Sequence, residues 1–180
     1  MIHLKLETFL EQTSVRKQVG NNNSRVKIRE GEKKDLPTIF NLIKELAQYE
    51  NSLDKILITR KDLEKDGFGK NPLYWILVAE IDGEIIGMAF YYIRYSTWTG
   101  KILYLEDFIV KEAFRRMGVG SLLFEECIRV SRKIKANGMV WQVLNWNKSA
   151  INFYKKYNAE IKNDWSNGKL NKKQINSLIT

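Results

Sequence analysis

One short segment constrains this chain more than any other: Arg115-Arg116-Met117-Gly118-Val119-Gly120-Ser121. It follows an apolar run ending at Val110 and opens a stretch, Ser121 to Lys135, whose apolar residues recur at helical spacing. The first turn of a helix carries N–H groups without intrahelical acceptors, at the positive end of the helix dipole. Glycines there remove the Cβ atoms that would hold phosphate oxygens away from the amides, so such a terminus accepts phosphate. Arg115 and Arg116 add positive charge. The bland alternative is a tight strand-to-helix turn with solvated arginines. Neither the G-x-x-x-x-G-K-[ST] nor the G-x-G-x-x-G phosphate pattern occurs.

The rest of the chain reads as alternating short elements. Val26 to Arg29 alternates as a first strand. Asp35, with Pro37 behind it, starts a helix whose Ile39, Leu42, Ile43, Leu46 and Ala47 share one face. Thr59 and Asp62 form an acidic variant of a capping box before a second helix, broken near Gly67-Phe68-Gly69. Tyr74 to Ile81 and Glu84 to Tyr95 are strands joined by an Asp82-Gly83 turn, and Thr99-Gly100 leads into a third, Lys101 to Val110. After the long helix, Asn137-Gly138 ends it, Met139 to Leu144 is a strand, and Ser149 to Tyr157 is a helix. Trp165 and Leu170 suggest a last strand, and Ile175 to Ile179 a short tail. The pattern predicts an α+β fold, helices laid on a mostly antiparallel central sheet. Residues 1–24, ending in Gly20-Asn21-Asn22-Asn23-Ser24, read as a flexible extension with a possible docking helix at Leu4, Leu6, Phe9 and Leu10; residues 25–180 form the domain.

Composition narrows the chemistry. The one cysteine, Cys127, allows no internal disulfide, and the one histidine is His3. A Cys–His pair and a histidine-rich metal site are therefore set aside, and no metal is expected. Thirty Lys and Arg against 21 Asp and Glu leave a formal charge of +9. That excess, spread along the chain, suits a local polyanionic cofactor as well as nucleic acid. No apolar run approaches the roughly 20 residues of a membrane span, and the N-terminus lacks a secretory pattern; the expectation is an intracellular, cytoplasmic protein with no membrane or nucleic-acid partner.

The Arg115-x-x-Gly118-x-Gly120 turn resembles the acetyl-CoA pyrophosphate loop of the GNAT N-acetyltransferases. Further segments resemble the spermidine/spermine acetyltransferase family, in order and at similar spacing. They are Ile43 to Glu50, Asp66-Gly67-Phe68-Gly69, Leu103-Tyr104-Leu105-Glu106-Asp107-Phe108, and Trp146-Asn147 with Asn152-Phe153-Tyr154. The likeness spans about residues 26–170. It implies the GNAT fold, acetyl-CoA as cosubstrate, a small-molecule amine as acceptor, direct transfer in a ternary complex, and a homodimer. It also implies that residues 115–121, Arg115, Arg116, Met117, Gly118, Val119, Gly120 and Ser121, hold the pyrophosphate. Ile109 and Val110 amides beside a bulge would polarise the acetyl carbonyl, and Asn147, also a candidate helix cap, would meet the pantetheine arm.

On the acceptor side, the family places a carboxylate at Glu106, which would take the amine's proton through water. Asp107 and Glu50 are further acidic candidates; their ordinary readings are ion-pairing and a solvated helix end. Strand alternation puts Glu106 and Asp107 on opposite faces. Tyr95-Ser96-Thr97-Trp98 departs from the polyamine enzymes, which carry an acid at Ser96, and is similar to the thialysine N-epsilon-acetyltransferase branch; Ser96 and Trp98 join the substrate candidates. Tyr154, which residue type alone assigns to the core, matches the family's general acid for the leaving thiolate. Asn158 replaces a family glycine, and asparagine tolerates positive φ. Cys127 reads as a packed thiol. Other diamines or a protein lysine are alternative acceptors, and a non-enzymatic acetyl-CoA sensor is the alternative outside catalysis.

Overall fold

The computed structural model describes residues 26–178, which fall into two compact units divided between Gln142 and Val143. Expectations for the extension and its docking helix lie outside the described residues.

The first unit holds a five-stranded sheet in sequential order, β1 (Lys27–Glu30), β2 (Trp75–Ile81), β3 (Glu84–Ser96), β4 (Gly100–Val110) and β5 (Gly138–Trp141). The first four pair antiparallel, and β5 runs parallel to β4. The reason is connective: tight turns at Asp82-Gly83 and Thr99-Gly100 force antiparallel neighbours, whereas a helix carries the chain back from β4 to β5. Asp82 (φ 47) and Gly83 (φ 84) take the left-handed conformations a two-residue hairpin turn demands.

Helix α1 (Leu36–Tyr49) covers one sheet face with Leu36, Ile39, Leu42 and Ile43, packed among Ile76, Val78, Met88 and Ile109. Helix α3 (Val119–Lys133) buries Leu122, Leu123, Phe124 and Cys127, and Phe124 meets the rings of Phe108 and Trp141 edge-on at 5.9 and 5.4 Å. Because strand side chains alternate, Phe108 and Ile109 serve opposite faces. Cys127 is buried, as expected of a packed thiol.

Helix α2 (Arg60–Phe68) begins with the expected capping box: Asp62 N–H donates to the Thr59 hydroxyl, and Thr59 N–H to the Asp62 carboxylate at 2.8 Å. Its end is shaped by Tyr74, whose ring occupies the space a side chain at residue 67 would need, so glycine is required there.

Asp35 departs from its expected role. A 3-10 turn (Lys33–Asp35) precedes α1, and Asp35 makes no side-chain cap to that helix. Instead it accepts the Glu32 N–H at 2.8 Å and both terminal nitrogens of Arg29, which also reaches Glu80. Burial works to raise the Asp35 carboxyl, but Arg29 and the Glu32 amide outweigh it and hold it below the usual range.

The second unit holds α4 (Lys148–Lys155) and α5 (Lys172–Leu178). Asn147 caps α4 by accepting the Ala150 N–H at 3.1 Å. Asn158, at φ 56, adopts the left-handed turn in place of a glycine. The strand expected around Trp165 and Leu170 does not form: residues 158–171 carry no regular element, and both side chains are exposed. One apolar residue at each end and Asn, Gly and Lys between them leave too little side-chain packing to hold a strand. The fifth strand is likewise shorter than expected, ending at Trp141.

Candidate active site

The geometry turns on β4. Along β3, Phe90 faces Asp107 and Tyr91 faces Leu105, so Glu106 is an extra residue opposite no partner, a β-bulge. Tyr92 faces Tyr104, their rings stacked at 5.0 Å. Tyr104 and Asp107 are three apart and would sit on opposite faces of a regular strand. The bulge resets the alternation, and both lie on the α1 face. The expectation that Glu106 and Asp107 diverge is therefore corrected: both line one cavity.

That cavity has a volume of about 520 Å³ and lies between α1, α2 and the sheet. Ile43, Ile58, Leu63, Leu73, Tyr74, Phe90 and Tyr92 form its walls, with Glu106 and Asp107 as its only charged lining among the described residues. Tyr74 stacks on Phe90 at 4.1 Å and donates its hydroxyl to the Leu63 carbonyl at 2.5 Å, which fixes that wall.

The electrostatics follow from this enclosure. Burial pushes the Asp107 carboxyl up to about 6, and the charges of Glu106 and Glu50 act in the same direction. Burial also raises Glu106 and Glu50. Glu106 keeps one side open to solvent, whereas Asp107 is more enclosed. Glu50, at the C-terminal end of α1, is half-buried and is not part of the cavity wall. Three carboxylates with raised affinity for protons, two of them close enough to act on the third, Asp107, can bind an ammonium and receive its proton.

Beyond Leu105 the pairing of β4 with β5 ceases, while β4 continues to Val110. The Lys111 N–H donates to the Ile86 carbonyl at 2.8 Å, so alternation turns the N–H of Ile109 toward β3 and that of Val110 away from it. The Val110 carbonyl, on that same open side, accepts from Arg115 Nε at 3.0 Å.

The glycine loop follows. Arg116 (φ 64) and Gly118 (φ 82) take left-handed backbone, and α3 starts at Val119, two residues earlier than the spacing predicts. Gly118 is the N-cap and brings no side chain to satisfy the first-turn amides. A Cβ on Gly118 would meet nothing within 4 Å, so space is open before the helix terminus. Positive dipole end, uncapped amides and open space suit a pyrophosphate. Arg115 also lies over the Tyr49 ring, 5.4 Å from its centroid.

Ser96 and Trp98 lie apart from the cavity. Ser96 closes the β3–β4 turn, its hydroxyl accepting the N–H groups of Trp98 and Thr99 at 3.2 Å each. Trp98 is 85% exposed. Ser96 lies five positions along β3 from Tyr91 at the bulge, roughly 17 Å along the strand. Tyr154 is buried on α4, its ring edge-on to Phe153 at 5.4 Å. Sequence reasoning did not single out Tyr74, Phe90 and Tyr92 as cavity walls; the signal available was the i, i+2 spacing of Phe90 and Tyr92. No group of metal-ligating side chains is found among the described residues, and none of their helices is long and apolar enough to cross a membrane.

Comparisons with known proteins agree with this architecture. The model of the acetyltransferase (GNAT) family matches residues 36–159. The chain is 42% identical over 134 residues to spermidine/spermine N(1)-acetyltransferase-like protein 1 of Homo sapiens, covering 71% of this chain and 19% of that protein. It is 40% identical over 143 residues to thialysine N-epsilon-acetyltransferase of Bos taurus, covering 75% of this chain and 84% of the relative. Among solved structures, an integron cassette protein from the mobile metagenome of V. cholerae shares the fold, with a TM-score of 0.69 at 20% identity over 85% of this chain and 96% of its own. Family match and sheet geometry agree, and the chain belongs to the acetyltransferase (GNAT) family.

Proposed function

We propose that this N-acetyltransferase moves the acetyl group of acetyl-CoA to a primary amine of a small molecule, by direct attack in a ternary complex. The observation that carries this reading is the bulge in β4, which gathers Glu106 and Asp107 at one cavity just before the strand runs into the glycine loop. The names of the human and bovine relatives support a diamine or lysine-like acceptor.

In this reading the amides and charges of residues 115–121 hold the pyrophosphate. The Val110 N–H, turned away from β3, polarises the acetyl carbonyl beside Ile109. Glu106 takes the ammonium proton through water, and Asp107 with Glu50 holds the amine; a raised carboxyl affinity favours the transfer near neutral pH. Tyr154 returns a proton to the CoA thiolate, and Asn147 adds a pantetheine contact to its cap. These last two roles rest on the resemblance. Ser96 and Trp98 meet only the far end of a long acceptor. The dimer and a cytoplasmic location belong to the same family expectation.

Thiol release from acetyl-CoA with thialysine, lysine, spermidine and spermine tests the reading. Turnover with at least one amine, reduced at least a hundredfold in Glu106→Gln, is expected. Acetyl-CoA binding without turnover of any amine would favour a sensor instead.

A further inference from the structure

We propose that Arg94 is the residue that selects the far end of the acceptor: it pairs with a carboxylate carried by the amine and so favours a lysine-like zwitterion over a polyamine. This rests on the acetyltransferase reading above and assigns a specificity residue to the same site.

Side chains two apart on a strand share a face, so Tyr92 and Arg94 of β3 project to the same side. Tyr92 lines the cavity, and its ring stacks on Tyr104 at 5.0 Å. The Arg94 guanidinium lies over that Tyr104 ring, 5.7 Å from its centroid. Tyr104 pairs with Tyr92, and Ile102 with Arg94, so a guanidinium over Tyr104 leans toward the acids and away from the β3–β4 turn. The stacked rings thus stand between Asp107 with Glu106 on one side and Arg94 on the other. Both sides act on them: burial raises the Tyr92 and Tyr104 hydroxyls, Glu106 adds to the rise, and Arg94 opposes it.

Arg94 is exposed and, among the described residues, has no acidic partner; its charge rests on a ring. Arg29 on β1 is the contrast, bound by Asp35 and Glu80. Ser96, the next residue on the Arg94 face, has its hydroxyl engaged by the turn amides of Trp98 and Thr99. A guanidinium binds a carboxylate through two parallel N–H donors and repels an ammonium. Asp107 faces Phe90, four positions from Arg94, roughly 13 Å along the strand. The reach of the arginine side chain shortens that gap to one a lysine-like chain spans. An acceptor with its reacting ammonium at the acids and its carboxylate at Arg94 matches both charges; a polyamine matches one and opposes the other. The pair is exposed, so its effect is modest and weakens with salt.

The test measures thiol release by the full chain with L-lysine, spermidine and L-lysinamide, in which a neutral amide replaces the carboxylate. At low ionic strength kcat/KM should be about fivefold higher for lysine than for lysinamide, the factor expected of one exposed charge-assisted contact. In Arg94→Gln the ratio should fall to about one, through a rise in KM for lysine with kcat held. For spermidine kcat/KM should rise, because a repelling cation is gone. Arg94→Lys, which keeps the charge, should retain part of the preference for lysine. A wild-type ratio of one, a ratio unchanged in Arg94→Gln, or an equal fall with all three amines would overturn the proposal while leaving the acetyltransferase reading intact. Turnover of spermidine alone would do the same. No turnover with any amine would overturn both.

Discussion

Arg115 stacks over Tyr49, guanidinium carbon 5.4 Å from the ring centroid, while its Nε donates to the Val110 carbonyl at 3.0 Å. One side chain thus joins the glycine loop to the end of β4 and to the end of α1, next to Glu50. An exposed cation–π contact is worth about 0.5–1 kcal/mol, a two- to fivefold change in an equilibrium. Tyr49→Leu should weaken acetyl-CoA binding by about that factor in calorimetry, and Tyr49→Phe, which keeps the ring, should not.

Gly118 at φ 82 provides the clearest test of the loop. Gly118→Val forces a β-branched side chain into left-handed backbone, costing about 1–2 kcal/mol, and fills the open space before α3. Acetyl-CoA affinity should drop at least tenfold by calorimetry, with circular dichroism showing a retained fold.

Asp107 and Asp35 should oppose each other in the pH dependence of stability. With the Asp107 carboxyl at about 6, above its unfolded value of about 3.9, the native state binds more protons between those values. Its contribution is greatest below about pH 4 and is lost as pH rises through 6, on the order of 1–3 kcal/mol. Asp107→Asn should flatten the slope of urea-measured stability between pH 4 and 6. The lowered Asp35 carboxyl does the reverse: its stabilisation is present above the unfolded pKa and disappears as pH falls through the lower folded value. Asp35→Asn should blunt the loss of stability in acid.

Removing Arg29 leaves Asp35, 6% exposed, without its guanidinium. Arg29→Met should cost about 3 kcal/mol, because breaking a buried pair strands the remaining charge. For a chain of this size the melting temperature should fall by about 10 °C.

Tyr154→Phe removes only the hydroxyl from a buried side chain. If Tyr154 supplies the proton to the thiolate, kcat should fall by a factor of about 10²–10⁴ while acetyl-CoA affinity holds. Unchanged kcat would remove Tyr154 from the chemistry.

Local signals were legible in the sequence because their causes are local. The Thr59–Asp62 box, the Asp82-Gly83 turn and the Asn147 cap each involve residues within a few positions, and each forms as expected. Asp35 shows where such reasoning stops. A carboxylate before Pro37 reads as a helix cap, but the cation that claims it lies on β1 and is itself shared with Glu80, 51 residues from Arg29.

Apart from the strand expected around Trp165 and Leu170, which does not form, the sequence by itself determined the strands and main helices, the mostly antiparallel sheet, and the phosphate-suited turn at Gly118, all products of periodicity, turn chemistry and backbone sterics. Only the tertiary structure decided that Glu106 and Asp107 share a face. That depends on three residues of β4 spanning the space of two on β3, Phe90 and Tyr91. It also decided that Tyr74, Phe90 and Tyr92 wall the cavity beside them. Register is a relation between strands, and a one-residue slip reverses which side chains face the site, so no single strand carries that information alone.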